Sequence, residues 1–135
     1  MLLDRRAQAA RRLRRRALQS PHVALEQRDR ALFELAYSSG LRAEELVDLD
    51  TPSIDFDQEQ VRVEGKGSKT RFVPVGEHAL RSIATYLERA RPALQSAEPD
   101  PALFLSKSGR RLSTSDVRRR LRVWARHAST HTGVH

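Results

Sequence analysis

Val61-Arg62-Val63-Glu64-Gly65-Lys66-Gly67-Ser68-Lys69-Thr70-Arg71-Phe72-Val73-Pro74-Val75 alternates apolar and polar residues on both sides of a glycine-rich tip. That period of two marks a β-hairpin, because successive side chains on a strand face opposite ways. A further alternating pair, Ile54 and Phe56, precedes it across the turn Asp57-Gln58-Glu59-Gln60. Three short antiparallel strands are therefore predicted, and most of the rest of the chain reads as helix. The expected fold class is α+β, mainly α, with helices packed around a small three-stranded antiparallel sheet.

Upstream, the spacing predicts a helix over 25–38 with Leu32, Leu35 and Ala36 as its apolar stripe. Ser38-Ser39-Gly40 ends it, Gly40 being suited to a left-handed cap. A short helix over 41–49 follows, with Arg42, Glu44 and Glu45 in its first turn, where carboxylates suit the helix dipole. Downstream, Leu80, Ile83, Ala84 and Leu87 follow helical spacing from Gly76-Glu77 until Arg91-Pro92. A polar loop with three prolines, the apolar run Leu103-Phe104-Leu105 and the turn Lys107-Ser108-Gly109-Arg110 come next. Ser113-Thr114-Ser115-Asp116 has capping-box form and opens a last helix, whose apolar face is Val117, Leu121, Trp124 and Ala125. At the other end, residues 1–20 form a basic helical segment with seven arginines by Arg16, broken by Ser20-Pro21. It reads either as a helix solvated by its arginines or as one that meets DNA phosphates.

The 135 residues suit one domain, and 39% apolar content is enough for a modest core. The formal charge of +8, carried by 22 Arg and 3 Lys against 17 acidic residues, favours a polyanionic partner, most plausibly nucleic acid. With no Cys, disulfides, thiolate metal sites and cysteine nucleophiles are excluded. No signal-peptide apolar region or membrane-length run exists, so a soluble intracellular chain is expected. Only 5% of residues are aromatic, which disfavours an RNA or single-strand DNA module built on base stacking.

Two of the three lysines, Lys66 and Lys69, lie on one hairpin in a chain that otherwise uses arginine for positive charge. An ammonium beside other cations can give up a proton where a guanidinium cannot, so the hairpin is a candidate proton donor. Chance in a small sample is the competing explanation. Arg42 opens a helix after a glycine turn, where an oxyanion would meet both guanidinium and backbone donors. It could instead pair with Glu45 one turn on, and both can hold. His127, His131 and His135 are four apart but have no acidic or cysteine companions, so a polar tail is favoured over a metal site. No metal or cofactor is expected.

Gly40-Leu41-Arg42-x-x-Glu45-Leu46, Ile54-Asp55 and Val61-x-Val63-x-Gly65-Lys66-Gly67-x-Lys69-x-Arg71-x-Val73-Pro74, with Arg28-Asp29-Arg30-Ala31-Leu32 before and Leu103-Phe104-Leu105 after, resemble the tyrosine recombinase (phage integrase) family, in its Xer-type style. The resemblance runs from about Leu25 to Ala128. It implies a reaction in which a tyrosine attacks a DNA phosphodiester to give a 3′-phosphotyrosyl bond. Two arginines and a histidine or tryptophan stabilise the phosphorane, and a hairpin lysine protonates the leaving 5′-oxygen. Arg42 matches the first catalytic arginine, Lys66 the lysine, and Glu45 the residue that buttresses the arginine. Lys69 is a second candidate for the lysine's role or a DNA contact, and Arg71 is expected on the DNA backbone.

The resemblance also implies double-stranded DNA and other recombinase protomers as partners, no small-molecule substrate, and a cytoplasmic, nucleoid-associated setting. The family's His-x-x-Arg box does not follow the helix containing Trp124 before His135. Tyr37 and Tyr86 match no nucleophile and read as structural. Residues 21–135 are thus expected to be the N-terminal part of a catalytic domain, from a truncated gene or a partial protein, without the domain that usually precedes it. Such a fragment would bind DNA without cleaving it alone. The alternative is a non-catalytic regulatory DNA-binding protein on the same scaffold.

Overall fold

Ser20 accepts the Val23 amide through its hydroxyl, and Pro21 follows as the first helical residue, where its missing N–H costs nothing. The serine–proline pair therefore starts a helix, α1 (Pro21–Ser39), four residues earlier than periodicity alone predicted. The computed structural model describes residues 20–132, so the basic segment 1–20 lies, but for Ser20, outside the described residues, as do His135 and the His131 side chain. Gly40 ends α1 at φ 70°, the left-handed cap expected of it.

The elements that follow are α2 (Ala43–Asp48), β1 (Ile54–Asp55), β2 (Gln60–Glu64) and β3 (Thr70–Pro74). The strands form one antiparallel sheet in the order β1-β2-β3. Val61 faces Ile54 on one side and Val73 on the other, and Arg62 faces Phe72. The register buries Ile54, Val61 and Val63 and turns Phe72 outward, 59% exposed. Phe56 falls in the turn after β1 and is also exposed, so neither phenylalanine joins the core.

α3 (Glu77–Thr85) runs into a π-helical turn, Tyr86–Ala90, and then α4 (Arg91–Leu94). Pro92 does not end the helix. The Arg91 amide bonds Tyr86 O, five residues back, and this wider turn carries the chain past the proline to Leu94. Arg91 is buried and donates to the Asp100 and Ala102 carbonyls, fixing the loop that returns to the core. The last helix is α5 (Thr114–Thr132), capped by Ser113, which accepts the Asp116 amide at 3.1 Å. Its Val117 is fully buried, Leu121 and Trp124 are half-buried, and Ala125 is exposed. The core-facing stripe is thus shorter than the one expected.

The core gathers Leu32 and Leu35 of α1, Leu46 of α2, Val61 and Val63 of the sheet, Ile83 and Tyr86 of the long helix, and Leu103 and Leu105. One charged pair is sunk into it. Arg28, 3% exposed, donates to Asp29 Oδ1 and to Leu105 O, so its donors are satisfied where water cannot reach. The mainly helical α+β architecture with a three-stranded antiparallel sheet is the one expected.

Candidate nucleic-acid interface

Arg42 is the residue immediately before α2, in extended backbone at φ −77° and ψ 160°. Its amide donates to Glu45 Oε1 at 3.0 Å, half of a capping box. An arginine side chain has no acceptor with which to complete the other half. One backbone donor expected at this helix start is therefore already taken by Glu45.

Lys66 stands at the hairpin tip, in a single 3₁₀ turn over Lys66–Ser68. Gly67 adopts φ 72°, a conformation that a side chain would disfavour, and the tip closes through a 2.7 Å hydrogen bond from Gly65 N to Lys69 O. Arg42 and Lys66 line one cleft of about 850 Å³ together with Glu44, Glu45, Asp48, Glu64, Gly65 and Arg71. The two cations, 24 residues apart in the chain, thus share one hollow. Among the described residues neither the Arg42 guanidinium nor the Lys66 ammonium has a hydrogen-bond or ion-pair partner.

The cleft is not a plain positive surface, since four carboxylates line it beside three cations. Three of the four are engaged. Glu45 Oε2 accepts from Arg71 Nη1 at 2.6 Å, Glu44 pairs with Arg118 of α5, and Glu64 accepts from the Thr70 hydroxyl at 2.9 Å. The hydrogen bond from Arg71, and then that from the Arg42 amide, hold the Glu45 carboxyl below its ordinary range, against an opposing effect of burial. From the far end, Arg111 donates to Val47 O and Leu49 O and to Asp50 Oδ1 at 2.7, 3.1 and 2.5 Å. Three arginines from three other parts of the chain thus hold the short segment that presents Arg42.

Of the five residues singled out in the sequence, Arg42, Glu45, Lys66 and Arg71 meet in the cleft, while Lys69 does not line it. The sequence reading gave Glu44 only a helix-dipole role and missed Arg111 and Arg118, because their partners lie more than 60 positions away. His78-Ala79-Leu80-Arg81 has the literal His-x-x-Arg spacing, yet Arg81 pairs with Glu77 and lines a separate hollow with Gln27 and Arg30.

Neither tyrosine lines the cleft. Tyr86 is fully buried, its hydroxyl donating to Leu103 O and accepting from Leu105 N, and burial pushes its pKa up to about 12. Tyr37 is 85% exposed and stacks on Phe33, outside the core. Trp124 lies 6.3 Å from the Phe33 ring, which bears out packing as its role. Among the described residues no cluster of metal-ligating side chains forms, and no helix is long and apolar enough to cross a membrane.

Residues 10–135 match the model of the phage integrase family. The tyrosine recombinase XerC of Shewanella oneidensis is 44% identical over 108 residues, which are 80% of this chain and 34% of that protein. That of Alcanivorax borkumensis is 48% identical over 101 residues, 75% of this chain and 32% of the relative. The chain therefore spans about a third of the length of these relatives. A crystal structure of XerA recombinase superposes with a TM-score of 0.63 at 23% identity, covering 81% of this chain and 37% of the other, a likeness of fold.

Proposed function

This chain belongs to the phage integrase family, as a Xer-type tyrosine recombinase, and on that premise we propose that it binds duplex DNA and seats one phosphodiester between Arg42 and Lys66. The observation that carries the reading is the shared cleft, in which two cations distant in sequence stand together, neither head group hydrogen-bonded or ion-paired among the described residues. A guanidinium presents forked donors to two non-bridging oxygens of a phosphate and stabilises charge that grows there in a phosphorane. The Lys66 ammonium is a point donor that can protonate a leaving 5′-oxygen. Glu45, bonded to the Arg42 amide, holds the backbone from which the guanidinium extends. Lys69, beside the tip, is a supporting contact to the DNA backbone.

On this reading residues 20–132 bind and orient the phosphodiester but do not supply the nucleophile, so the chain alone binds DNA without cutting it. A non-catalytic DNA-binding regulator on the same scaffold is the second reading. It is favoured by the same fact, that neither Tyr37 nor Tyr86 lines the cleft. A full-length recombinase assayed with added chain separates the two, since a regulator slows recombination at concentrations that occupy the site.

The direct test is duplex binding by fluorescence anisotropy across salt concentrations. Phosphate contacts release counterions, so affinity should fall linearly on logarithmic axes. A flat response overturns the reading. Arg42→Ala should weaken binding more than Lys66→Ala, because the lysine acts chiefly on the leaving group, and equal losses would remove that division of roles. A suicide substrate should leave the chain unlinked. A covalent adduct at Tyr37 or Tyr86 would overturn the assignment of both as structural.

A further inference from the structure

Strand register decides where Arg71 points. It lies opposite Val63 on β2, and β-strands place alternate residues on one face, so Arg71 shares the inner face with Val63 and Val73. Phe72 and Arg62 take the outer one. The inner face at this end of the sheet meets the start of α2, and there Arg71 finds Glu45.

Both oxygens of that carboxylate are used. Oε1 holds the Arg42 amide and Oε2 holds the Arg71 guanidinium, 26 residues further along the chain. Among the described residues, no other hydrogen bond joins Arg42 or α2 to the hairpin that carries Lys66. The tip's remaining polar ties, from Gly65 N to Lys69 O and from Thr70 to Glu64, are internal to the hairpin.

We infer that Arg71 is a positioning residue: through Glu45 it fastens the Lys66 hairpin to the helix start at Arg42 and so sets the separation of the two cations that grip the phosphodiester. This rests on the DNA-binding reading above and changes the role of Arg71 within it, from direct ligand of the DNA backbone to a lock between two elements. The hairpin tip stays free to adjust at Gly67, while its base is held.

A double-mutant cycle in the full chain tests the lock. Arg71→Ala should weaken duplex binding roughly five-fold or more, yet cost less than about two-fold further in a Glu45→Ala background, because coupled residues lose one shared interaction only once. A guanidinium bound directly to phosphate would lose the same factor in both backgrounds, and that result overturns the proposal. The second readout follows the Glu45 carboxyl by carbon NMR against pH, resolved from Glu44, Asp48 and Glu64. Arg42, Lys66 and Arg71 are the cations facing it.

In Arg71→Ala the Glu45 midpoint should rise toward its ordinary 4.5, and in Arg71→Lys it should return part of the way. General loosening of the fold would lower the melting temperature without moving that midpoint. An unmoved midpoint refutes the lock even if DNA binding is intact. A moved midpoint in a chain that does not bind duplex refutes the DNA reading and leaves the lock standing.

Discussion

Replacing Tyr86 by Phe removes one oxygen from the centre of the core and leaves the ring, stacked 5.7 Å from Phe104, in place. That oxygen serves two backbone groups at once, accepting from Leu105 N at 3.0 Å and donating to Leu103 O at 2.8 Å. Leu103 and Leu105 are fully buried, so water cannot replace it. A buried backbone group left unpaired costs about 1–3 kcal/mol, so the two together should cost about 2–6 kcal/mol. With a denaturant slope of about 2 kcal/mol per molar, urea unfolding followed by Trp124 fluorescence should shift down by about 1–3 M at unchanged slope.

Alkali gives an independent check on the same residue. Burial raises the Tyr86 pKa from its ordinary 10.0 to about 12, against smaller opposing pulls from the Leu105 amide and from Arg91 and Arg28. A folded-state pKa above the unfolded one means stability fully present below pH 10 and lost as pH rises toward 12. The loss is roughly 2–3 kcal/mol across that window, and Tyr86→Phe should lack this part of it. A phenylalanine variant as stable as the parent, or one with an unaltered alkaline limb, would refute the placement of this hydroxyl. It would also reopen Tyr86 as a group available for chemistry.

Arg111→Ala should destabilise by about 2 kcal/mol, because it strips donors from the Val47 and Leu49 carbonyls and a partner from Asp50; thermal melts check this, and loss of DNA affinity beyond the loss of folded protein would show that α2 has moved. Asp100 is held below its ordinary 3.8 first by the Ala102 amide and then by that of Arg111. Its stabilising share is therefore present above that pH and lost as pH falls through the lower folded value, so Asp100→Asn should flatten that part of the acid limb in a pH series of urea midpoints.

Short-range rules found the helix start at Ser113, the glycine cap at residue 40 and the hairpin tip, since each depends on residues within four positions. Their limit shows at Ser20-Pro21 and Arg91-Pro92. Proline forbids a helix interior but not a first turn, and only the Ser20 cap and the π-helical turn reveal which case applies. Phe56, Phe72 and Tyr37 are apolar or aromatic yet exposed, because strand register and helix neighbours, not residue type, set the face.

The sequence by itself determined that a guanidinium at residue 42 and an ammonium at residue 66 belong to a helix start and a hairpin tip, because local propensity and turn chemistry are written in adjacent residues. Only the tertiary structure decided that Arg71 turns to Glu45, that Arg111 and Arg118 hold the same short helix, and that both tyrosines stand outside the cleft. Those outcomes depend on which distant surfaces pack together, and arginine's fixed charge looks the same in sequence whether it waits for a phosphate or is already bound to a carboxylate.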